Sequence, residues 1–466
     1  MEKVITTPNS IPNINKLVEL KLRTLHQKIS EQDYKSSKNS KIKMPLLLSV
    51  ETQDVEDESF RQGVDIVLVI DISGSMKGEK IKLVTDTLKF VIDELEEKDR
   101  ISILTFNSKV KKICGLKSMN EENKKSLKEL VLQSLKPKGC TNIRKAMESA
   151  FNVLLERNEA NDSTAIFLIS DGQDTCGNNI EHIRKSMDFK IAKMKEKSQH
   201  FQVHSFGYGE DHDEKVLDMI ASSCHGNFYY IKTLSFIDEC FIDCFGYLMS
   251  NFAKDVELEV HLSSGIKFES TVANSLEKKT DRVATVTLAG IATGKTLDYT
   301  AEISIDTKKN PFKLGKVIKL GKADLVFVSG EEHFSFEAEL KLEMVKTNSD
   351  KGDSDVQVEE NFVKFEALRI MEEAKKKLEK GQEKESKWMV DDFLQNVQKS
   401  KKLGVGFKKN MSKQMCYSNV KNSKNFYQVK HVFSKNAYNP EFEEDCGEQK
   451  HFNYRQKAMK KRKGRF

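Results

Sequence analysis

The chain has 466 residues, of which 38% are hydrophobic and 32% charged, and its formal net charge is +6. This apolar share is sufficient for a folded core and excludes disorder along the whole length, and six prolines exclude collagen and proline-rich recognition tracts. No apolar run approaches the roughly 20 residues of a membrane span, and residues 1–20 lack the apolar core of a secretory signal, so we expect an intracellular protein, cytoplasmic or nuclear.

The first half of the chain predicts an α/β domain. Residues 1–45 are polar and are predicted to be a flexible segment, and a leading strand is predicted from Leu46. Residues 64–72, VDIVLVIDI, form a nearly continuous β-branched run that is typical of a parallel strand buried on both faces. Strands and helices then alternate, which predicts a doubly wound, mostly parallel sheet over residues 46–253.

The second half changes its hydrophobic period to two. Six short alternating stretches predict a β-sandwich-like domain over residues 254–345. Apolar residues spaced by three and four positions then predict a C-terminal helical hairpin over residues 356–400. Residues 401–466 are low in apolar content and are predicted to be loosely ordered.

The positive charge is concentrated in a C-terminal tail. The last twelve residues hold seven Lys or Arg and no acid, and without them the chain has 70 Lys and Arg against 71 Asp and Glu, a charge of −1. The tail has two functional interpretations: a nuclear-localisation signal bound by an import receptor, or a non-specific contact with nucleic acid or acidic lipid. The non-functional alternative is a solvated chain end. No aromatic residues are interleaved with the charges, so specific nucleic-acid recognition is not expected.

Five oxygen-bearing side chains follow the ends of predicted elements. Asp71, Ser73 and Ser75 stand in D-I-S-G-S after the first buried strand, Thr141 lies in a loop before a helix, and Asp171 follows a second buried strand. Ligands of open α/β sheets bind beyond the carboxyl ends of the strands, where these residues should converge. Two carboxylates and three hydroxyls suit Mg²⁺, Mn²⁺ or, less well, Ca²⁺.

This combination resembles the metal-ion-dependent adhesion site of von Willebrand factor A domains, and the five residues above match all five positions of that motif. The resemblance implies a cation with one coordination position open to an acidic residue of a partner protein. No positioned histidine or general base accompanies Ser73 and Ser75, so we expect metal ligands rather than nucleophiles, and no enzyme.

The resemblance extends beyond the motif. The stretches VDIVLVIDISGSMKGEKI, DRISILTFN, SDGQDT and VHSFGYGEDHD look like the intracellular A-domain proteins of the plant wavy-growth ubiquitin-ligase type and their protist relatives, over roughly residues 45–400. The plant proteins carry an N-terminal RING finger, whereas this chain has no cysteine before Cys114. The resemblance therefore implies a substrate-binding or adaptor role in ubiquitin transfer, and not ligase activity.

Three hypotheses remain at this point. The first is a metal-dependent interaction module, the second is a RING-less adaptor or substrate-binding subunit in ubiquitin transfer, and the third is a structural component of a large assembly whose metal site is unused. Two other clusters have bland interpretations. Residues 211–214 are interpreted as a helix N-terminus capped by Asp213, and Cys224, Cys240 and Cys244 as core thiols rather than zinc ligands.

Overall fold

The computed structural model describes most of the chain. The described residues are 14–36, 41–55, 62–170, 174–197, 200–208, 213–231, 244–271, 276–288, 290–422, 425–427, 429 and 433. Within these ranges no helix combines the length and the apolar character that crossing a membrane requires.

The elements of the first half are, in chain order, α1 (Ile14–Leu17), β1 (Val18–Thr24), β2 (Lys28–Ser30), α2 (Glu31–Ser36), β3 (Lys41–Thr52), β4 (Val64–Asp71), α3 (Glu79–Glu94), β5 (Arg100–Phe106), β6 (Val110–Ser118), α4 (Glu121–Ser134), α5 (Ile143–Leu155), β7 (Ser163–Ser170), α6 (Ile180–Glu196), β8 (Gln202–Tyr208), α7 (Glu214–Ser222) and β9 (Phe228–Ile231). Those of the second half are β10 (Asn251–Leu262), β11 (Ile266–Thr271), β12 (Glu277–Lys278), β13 (Val283–Leu288), β14 (Ile291–Ala292), β15 (Thr296–Asp306), β16 (Val317–Ser329), β17 (Glu332–Val345), α8 (Val356–Glu379), α9 (Glu383–Lys399), α10 (Val405–Gln414) and α11 (Tyr417–Lys421).

A six-stranded sheet with the order β6-β5-β4-β7-β8-β9 forms the centre of the α/β domain. All neighbours in it are parallel except β5 and β6. Every residue of β4 is buried, because helices cover both faces of the sheet. Ile66, Leu68 and Ile70 pack with α3 and α4 on one face, and Val67 and Val69 pack with α5, α6 and α7 on the other.

The second half contributes a two-sheet sandwich. One sheet has the order β1-β3-β15-β11, and the other has the order β12-β13-β10-β16-β17-β2, with β14 paired to β10. Alternate residues of the strands point into a shared apolar core, as in the pattern of β10, where Val256, Leu258 and Val260 are buried. The predicted fold class, an α/β sheet followed by a β-sandwich and a C-terminal helical hairpin, is confirmed.

The structure corrects the predicted organisation of the N-terminal region. The predicted flexible segment 1–45 contains β1 and β2, and the predicted leading strand of the α/β domain is β3, which belongs to the sandwich. Leu48 pairs with Leu22 of β1 on one side and with Tyr299 of β15 on the other. The β3 strand therefore pairs with a strand about 250 residues away in the chain, which local composition does not reveal. Residues 1–13 lie outside the described residues.

Residues 244–249 form a further helical segment before β10. One further boundary differs from the prediction, at the C-terminal end of the helical hairpin. The predicted loosely ordered region 401–466 begins with α10 and α11, whose Met411 and Val420 are buried against the helical hairpin. Residues 434–466, including the basic tail, lie outside the described residues.

Candidate metal site

Asp71 is the last residue of β4 and lies at the carboxyl edge of the central sheet. It is fully buried. Its Oδ1 accepts a hydrogen bond of 2.7 Å from the backbone N–H of Ser73, and its Oδ2 accepts one of 2.7 Å from the hydroxyl of Ser170 at the end of β7. These two hydrogen bonds hold the orientation of the Asp71 carboxylate.

The loop after Asp71 brings two hydroxyls together. Ser73 is 2% exposed and Ser75 is exposed, and their Oγ atoms lie 3.0 Å apart. The loop continues as a short 3-10 turn over Gly74–Met76, and the buried Met76 side chain anchors that turn in the core beside α3. Ser73 and Ser75 thus stand on a short, anchored segment.

A second loop approaches the first and carries Thr141. The N–H of Lys138 donates to the carbonyl of Ile72 at 2.7 Å, and the N–H of Gly74 donates to the carbonyl of Gly139 at 3.0 Å. Gly139 has a φ of +81°, a conformation that glycine adopts without the strain of a side chain. Two backbone hydrogen bonds therefore hold this loop beside the serines, and Thr141 is 3% exposed.

A third segment, residues 174–178, supports the Thr141 loop. The N–H of Thr141 donates to Thr175 Oγ1 at 2.8 Å, and the N–H of Thr175 donates to the carbonyl of Thr141 at 2.9 Å. Asp174 Oδ2 accepts from the N–H of Ile143 at 2.9 Å, in the first turn of α5. These contacts satisfy backbone donors at the start of α5 that its own helix cannot satisfy.

The structure therefore brings four of the five predicted residues, Asp71, Ser73, Ser75 and Thr141, to neighbouring loops at one edge of the sheet. Asp171 is the next residue after Ser170 in the sequence, and it lies outside the described residues together with Gly172 and Gln173.

Two residues that support the candidate site are not among those predicted from the sequence. Ser170 donates to Asp71, and Asp174 supports the loop that carries Thr141. Ser170 directly precedes the predicted ligand Asp171 in the S-D-G stretch, and this position is the one feature of the sequence that indicates a role at the site. For Asp174 the only signal was its place three residues after Asp171, because its acceptor role depends on a helix that starts more than thirty residues earlier.

The donor set fits a hard divalent cation. Adjacent oxygen ligands of an octahedral Mg²⁺ ion, each at 2.0–2.1 Å, are separated by about 3 Å. The Ser73 and Ser75 hydroxyls are hydrogen-bonded to each other at 3.0 Å, a separation that equals that spacing. All four described side chains offer oxygen, the ligand atom that Mg²⁺, Mn²⁺ and Ca²⁺ prefer.

The other predicted clusters behave as structural groups where the structure describes them. Asp213 caps α7, since its side chain accepts from the N–H groups of Lys215 and Val216, as predicted. Cys224 and Cys244 are buried, whereas Asp211, His212 and Cys240 lie outside the described residues. In the described ranges, which omit Asp171, no group of three His, Cys, Asp or Glu side chains is placed to hold a metal ion.

Comparisons with known proteins identify the α/β domain. The family model of the von Willebrand factor type A domain matches residues 65–241. E3 ubiquitin-protein ligase WAV3 of Arabidopsis thaliana is 28% identical over 210 residues, which are 45% of this chain and 26% of that protein. Inter-alpha-trypsin inhibitor heavy chain H2 of Homo sapiens is 30% identical over 173 residues, 35% of this chain and 17% of that protein. The matched region thus spans about a quarter or less of these two relatives.

A solved structure shares the fold over nearly the whole chain. The von Willebrand factor type A protein from Catenulispora acidiphila superposes with a TM-score of 0.66 at 14% identity, covering 93% of this chain and 99% of that chain. At this identity the likeness concerns the fold alone, and it includes the sandwich as well as the α/β domain. This chain carries a von Willebrand factor type A domain over residues 65–241.

Proposed function

We propose that this protein binds other proteins through a divalent cation. In this proposal Asp71, Ser73, Ser75, Thr141 and Asp171 hold Mg²⁺, with Mn²⁺ or Ca²⁺ as substitutes, and the cation coordinates an Asp or Glu side chain of a partner. The two carboxylates balance the charge of the ion, so a third carboxylate from outside can still be attracted when one coordination position is open.

The observation that carries the proposal is the arrangement of hydroxyls around Asp71. Ser73 and Ser75 present their oxygens at the spacing of adjacent octahedral ligands, and the buried Asp71 carboxylate is oriented by two hydrogen bonds beside them. A site that holds its ligands in advance loses little conformational entropy when the ion binds.

Calorimetric titration with Mg²⁺ tests the metal assignment. We expect the double variant Asp71→Ala with Asp171→Ala to lose Mg²⁺ binding while its far-ultraviolet circular dichroism stays unchanged. The matched control replaces two exposed aspartates of the same domain, Asp86→Ala with Asp188→Ala, and should bind as the parent chain does. An unchanged Mg²⁺ isotherm in the first variant would contradict the proposed site.

Affinity capture from cell extract, with and without EDTA, tests the interaction. Partners that depend on the cation should be released by EDTA and should also be lost with the Asp71→Ala, Asp171→Ala variant. Capture that is indifferent to both treatments would favour the alternative of a structural component with an unused metal site.

A second candidate function is that of an adaptor in ubiquitin transfer. The observation that favours it is that relatives from Arabidopsis thaliana, including WAV3, are named E3 ubiquitin-protein ligases. Co-purification of a separate ubiquitin ligase with this chain would support the adaptor role. Partners free of ubiquitin machinery would count against it.

The basic tail enters the proposal as a separate targeting element for an intracellular protein, cytoplasmic or nuclear. Deleting residues 455–466 removes seven positive charges. We expect the deletion to reduce nuclear import, measured by fluorescence microscopy of a tagged chain, and to leave Mg²⁺ binding unchanged.

A further inference from the structure

Two free cysteines flank the contact between the second and third loops of the candidate metal site. Cys140 immediately precedes Thr141, and Cys176 immediately follows Thr175. Both cysteines are exposed, whereas Cys114, Cys224 and Cys244 are buried. An oxidant in solution can therefore reach this pair, while the buried thiols are protected from it.

Hydrogen bonds between the two segments, one of them between backbones, bring the two cysteines near each other. Thr141 and Thr175 are joined by two hydrogen bonds, of 2.8 and 2.9 Å, and Ile143 bonds to Asp174. Because 143 contacts 174 while 141 contacts 175, the two segments run in opposite directions. Residues 140 and 176 come next in this order, so the two cysteines lie on the same side of the contact between Thr141 and Thr175.

A disulfide requires that the two cysteines lie close together. The N–H of Thr175 donates to the Thr141 carbonyl at 2.9 Å, so the two segments are in direct contact at the residues next to the cysteines. Disulfides form across Cα separations of roughly 4.4–6.8 Å. Desolvation of the sulfur, the Asp174 charge and the neighbouring Cys140 raise the pKa of the Cys176 thiol. The contribution of Cys140 shows that the two cysteines lie near each other, whereas the raised pKa itself leaves less of Cys176 as the reactive thiolate.

We propose that Cys140 and Cys176 are an oxidisable thiol pair that forms an intramolecular disulfide between the two loops. A hydroperoxide is the oxidant. One thiol attacks the peroxide, the O–O bond breaks, and a sulfenic acid and water form when the oxidant is hydrogen peroxide. The second thiol displaces the sulfenic oxygen as a further water, which closes the S–S bond. In sum, the two thiols lose two electrons and two protons, and one peroxide becomes two waters.

The bond would join the loop that carries Thr141 to residues 174–178. In a reducing compartment such disulfides are typically transient and redox-sensing, which fits a pair placed at the surface. A link between oxidation and metal binding would rest on the proposed function, whereas the disulfide itself does not.

Mass spectrometry of the full chain tests the disulfide, because trypsin separates the two cysteines. Cleavage yields peptide 139–144 with Cys140 as its only cysteine and peptide 158–184 with Cys176 as its only cysteine. After treatment of the metal-free protein with hydrogen peroxide, we expect these two peptides to be linked, and we expect dithiothreitol to separate them. The Cys140→Ser and Cys176→Ser variants should each lose the link, and Cys416→Ser should retain it.

Three results would overturn the proposal. The first is that no link forms after oxidation. The second is that each cysteine is recovered as its own sulfenic or sulfinic acid. The third is that, in a mixture of isotope-labelled and ordinary protein, the link is found only between labelled and unlabelled molecules. Since the readout is a covalent bond in protein without metal, failure of the Mg²⁺ titration would leave this test unaffected.

Discussion

At the scale of single residues, the orientation of Asp71 depends on a neighbour that is not a predicted ligand. Ser170 donates its hydroxyl to Asp71 Oδ2 at 2.7 Å from the adjacent strand, and both side chains are fully buried. Groups that hydrogen-bond to a metal ligand fix its direction and commonly change metal affinity when they are removed. Ser170 is therefore a positioning residue for the candidate site.

The first prediction concerns this hydroxyl. We expect Ser170→Ala to weaken Mn²⁺ binding by roughly ten- to a hundredfold in calorimetry, because the Asp71 carboxylate loses the hydrogen bond from Ser170 that orients it. Ser205→Ala is the matched control, since Ser205 is equally buried, lies in the same sheet and donates its hydroxyl to the Leu217 carbonyl. Equal Mn²⁺ affinities of the two variants would show that Ser170 does not position the site.

At the scale of elements, the opposite end of β4 is held by a buried ion cluster. Asp65 is fully buried and accepts two hydrogen bonds of 2.7 Å from Arg100 of β5 and one of 2.7 Å from Arg157, which follows α5. Burial lowers the pKa of the Arg157 guanidinium in spite of this partner, so its charge depends on Asp65 for compensation. The cluster joins two strands and the start of the loop before β7.

The second prediction concerns variants in which Asp65, the acid of this cluster, is replaced. Asp65→Ala leaves two guanidinium groups without their carboxylate, and we expect it to lower the free energy of unfolding in urea by about 3–5 kcal/mol. Asp65→Asn keeps the shape and an acceptor and should cost less. Mg²⁺ affinity should not change, because Asp65 and Asp71 are six residue steps apart along the strand, about 20 Å. An Asp65→Asn variant as stable as the parent chain would contradict a role for the charge.

Burial of a strand can be predicted from its local sequence, whereas its distant pairing partners cannot. The run in β4 is apolar on both faces, and its burial on both faces is confirmed. By contrast, β3 pairs with β1 on one side and with β15 on the other, for example through Leu48 and Tyr299. No local sequence pattern identifies a partner as distant as β15.

The same reasoning applies to the candidate site. Asp71, Ser73, Ser75 and Thr141 stand in a recognisable motif, and the structure brings them together. Ser170 becomes relevant only once β7 lies beside β4, a pairing that the sequence does not specify residue by residue.

At the scale of the whole molecule, the helical hairpin is attached to the sandwich by a polar contact. Asp298 of β15 accepts hydrogen bonds from Ser49 of β3 at 2.6 Å, from Gln357 at 3.1 Å and from Asn361 at 3.0 Å, the last two on α8. One carboxylate therefore joins two strands to the helix that begins the hairpin. Removing it leaves two side-chain amides of α8 without this acceptor.

The third prediction tests this attachment by hydrogen exchange. In Asp298→Ala we expect faster amide exchange over Val356–Glu379, while exchange in the six-stranded sheet stays unchanged. Asp324→Ala is the control, because Asp324 lies on a strand of the other sheet and pairs with Lys322. If the two variants exchange equally over α8, Asp298 does not hold the helix.

Three distant segments also meet at His26, which lies between β1 and β2. Desolvation lowers the pKa of its imidazole below the ordinary value of 6.5, and the charges of Lys402 and Lys351 lower it further. The Asp353 carbonyl and the Glu359 charge oppose this shift without reversing it. The folded chain therefore favours neutral His26.

The fourth prediction follows from the sign of this shift. Above about pH 6.5 the imidazole is neutral in both states, and stability is complete. As the pH falls below 6.5, the unfolded chain takes up the proton first, so stability decreases until the pH passes the lower pKa of the folded state. Comparing urea unfolding at about pH 7.5 and about pH 5.5, we expect the parent chain to lose more stability than His26→Gln, which cannot take up this proton. The control is His333→Gln, at an exposed position of β17, which should lose as much stability as the parent does. An equal loss of stability in the parent and in His26→Gln would mean that His26 does not cause the acid sensitivity.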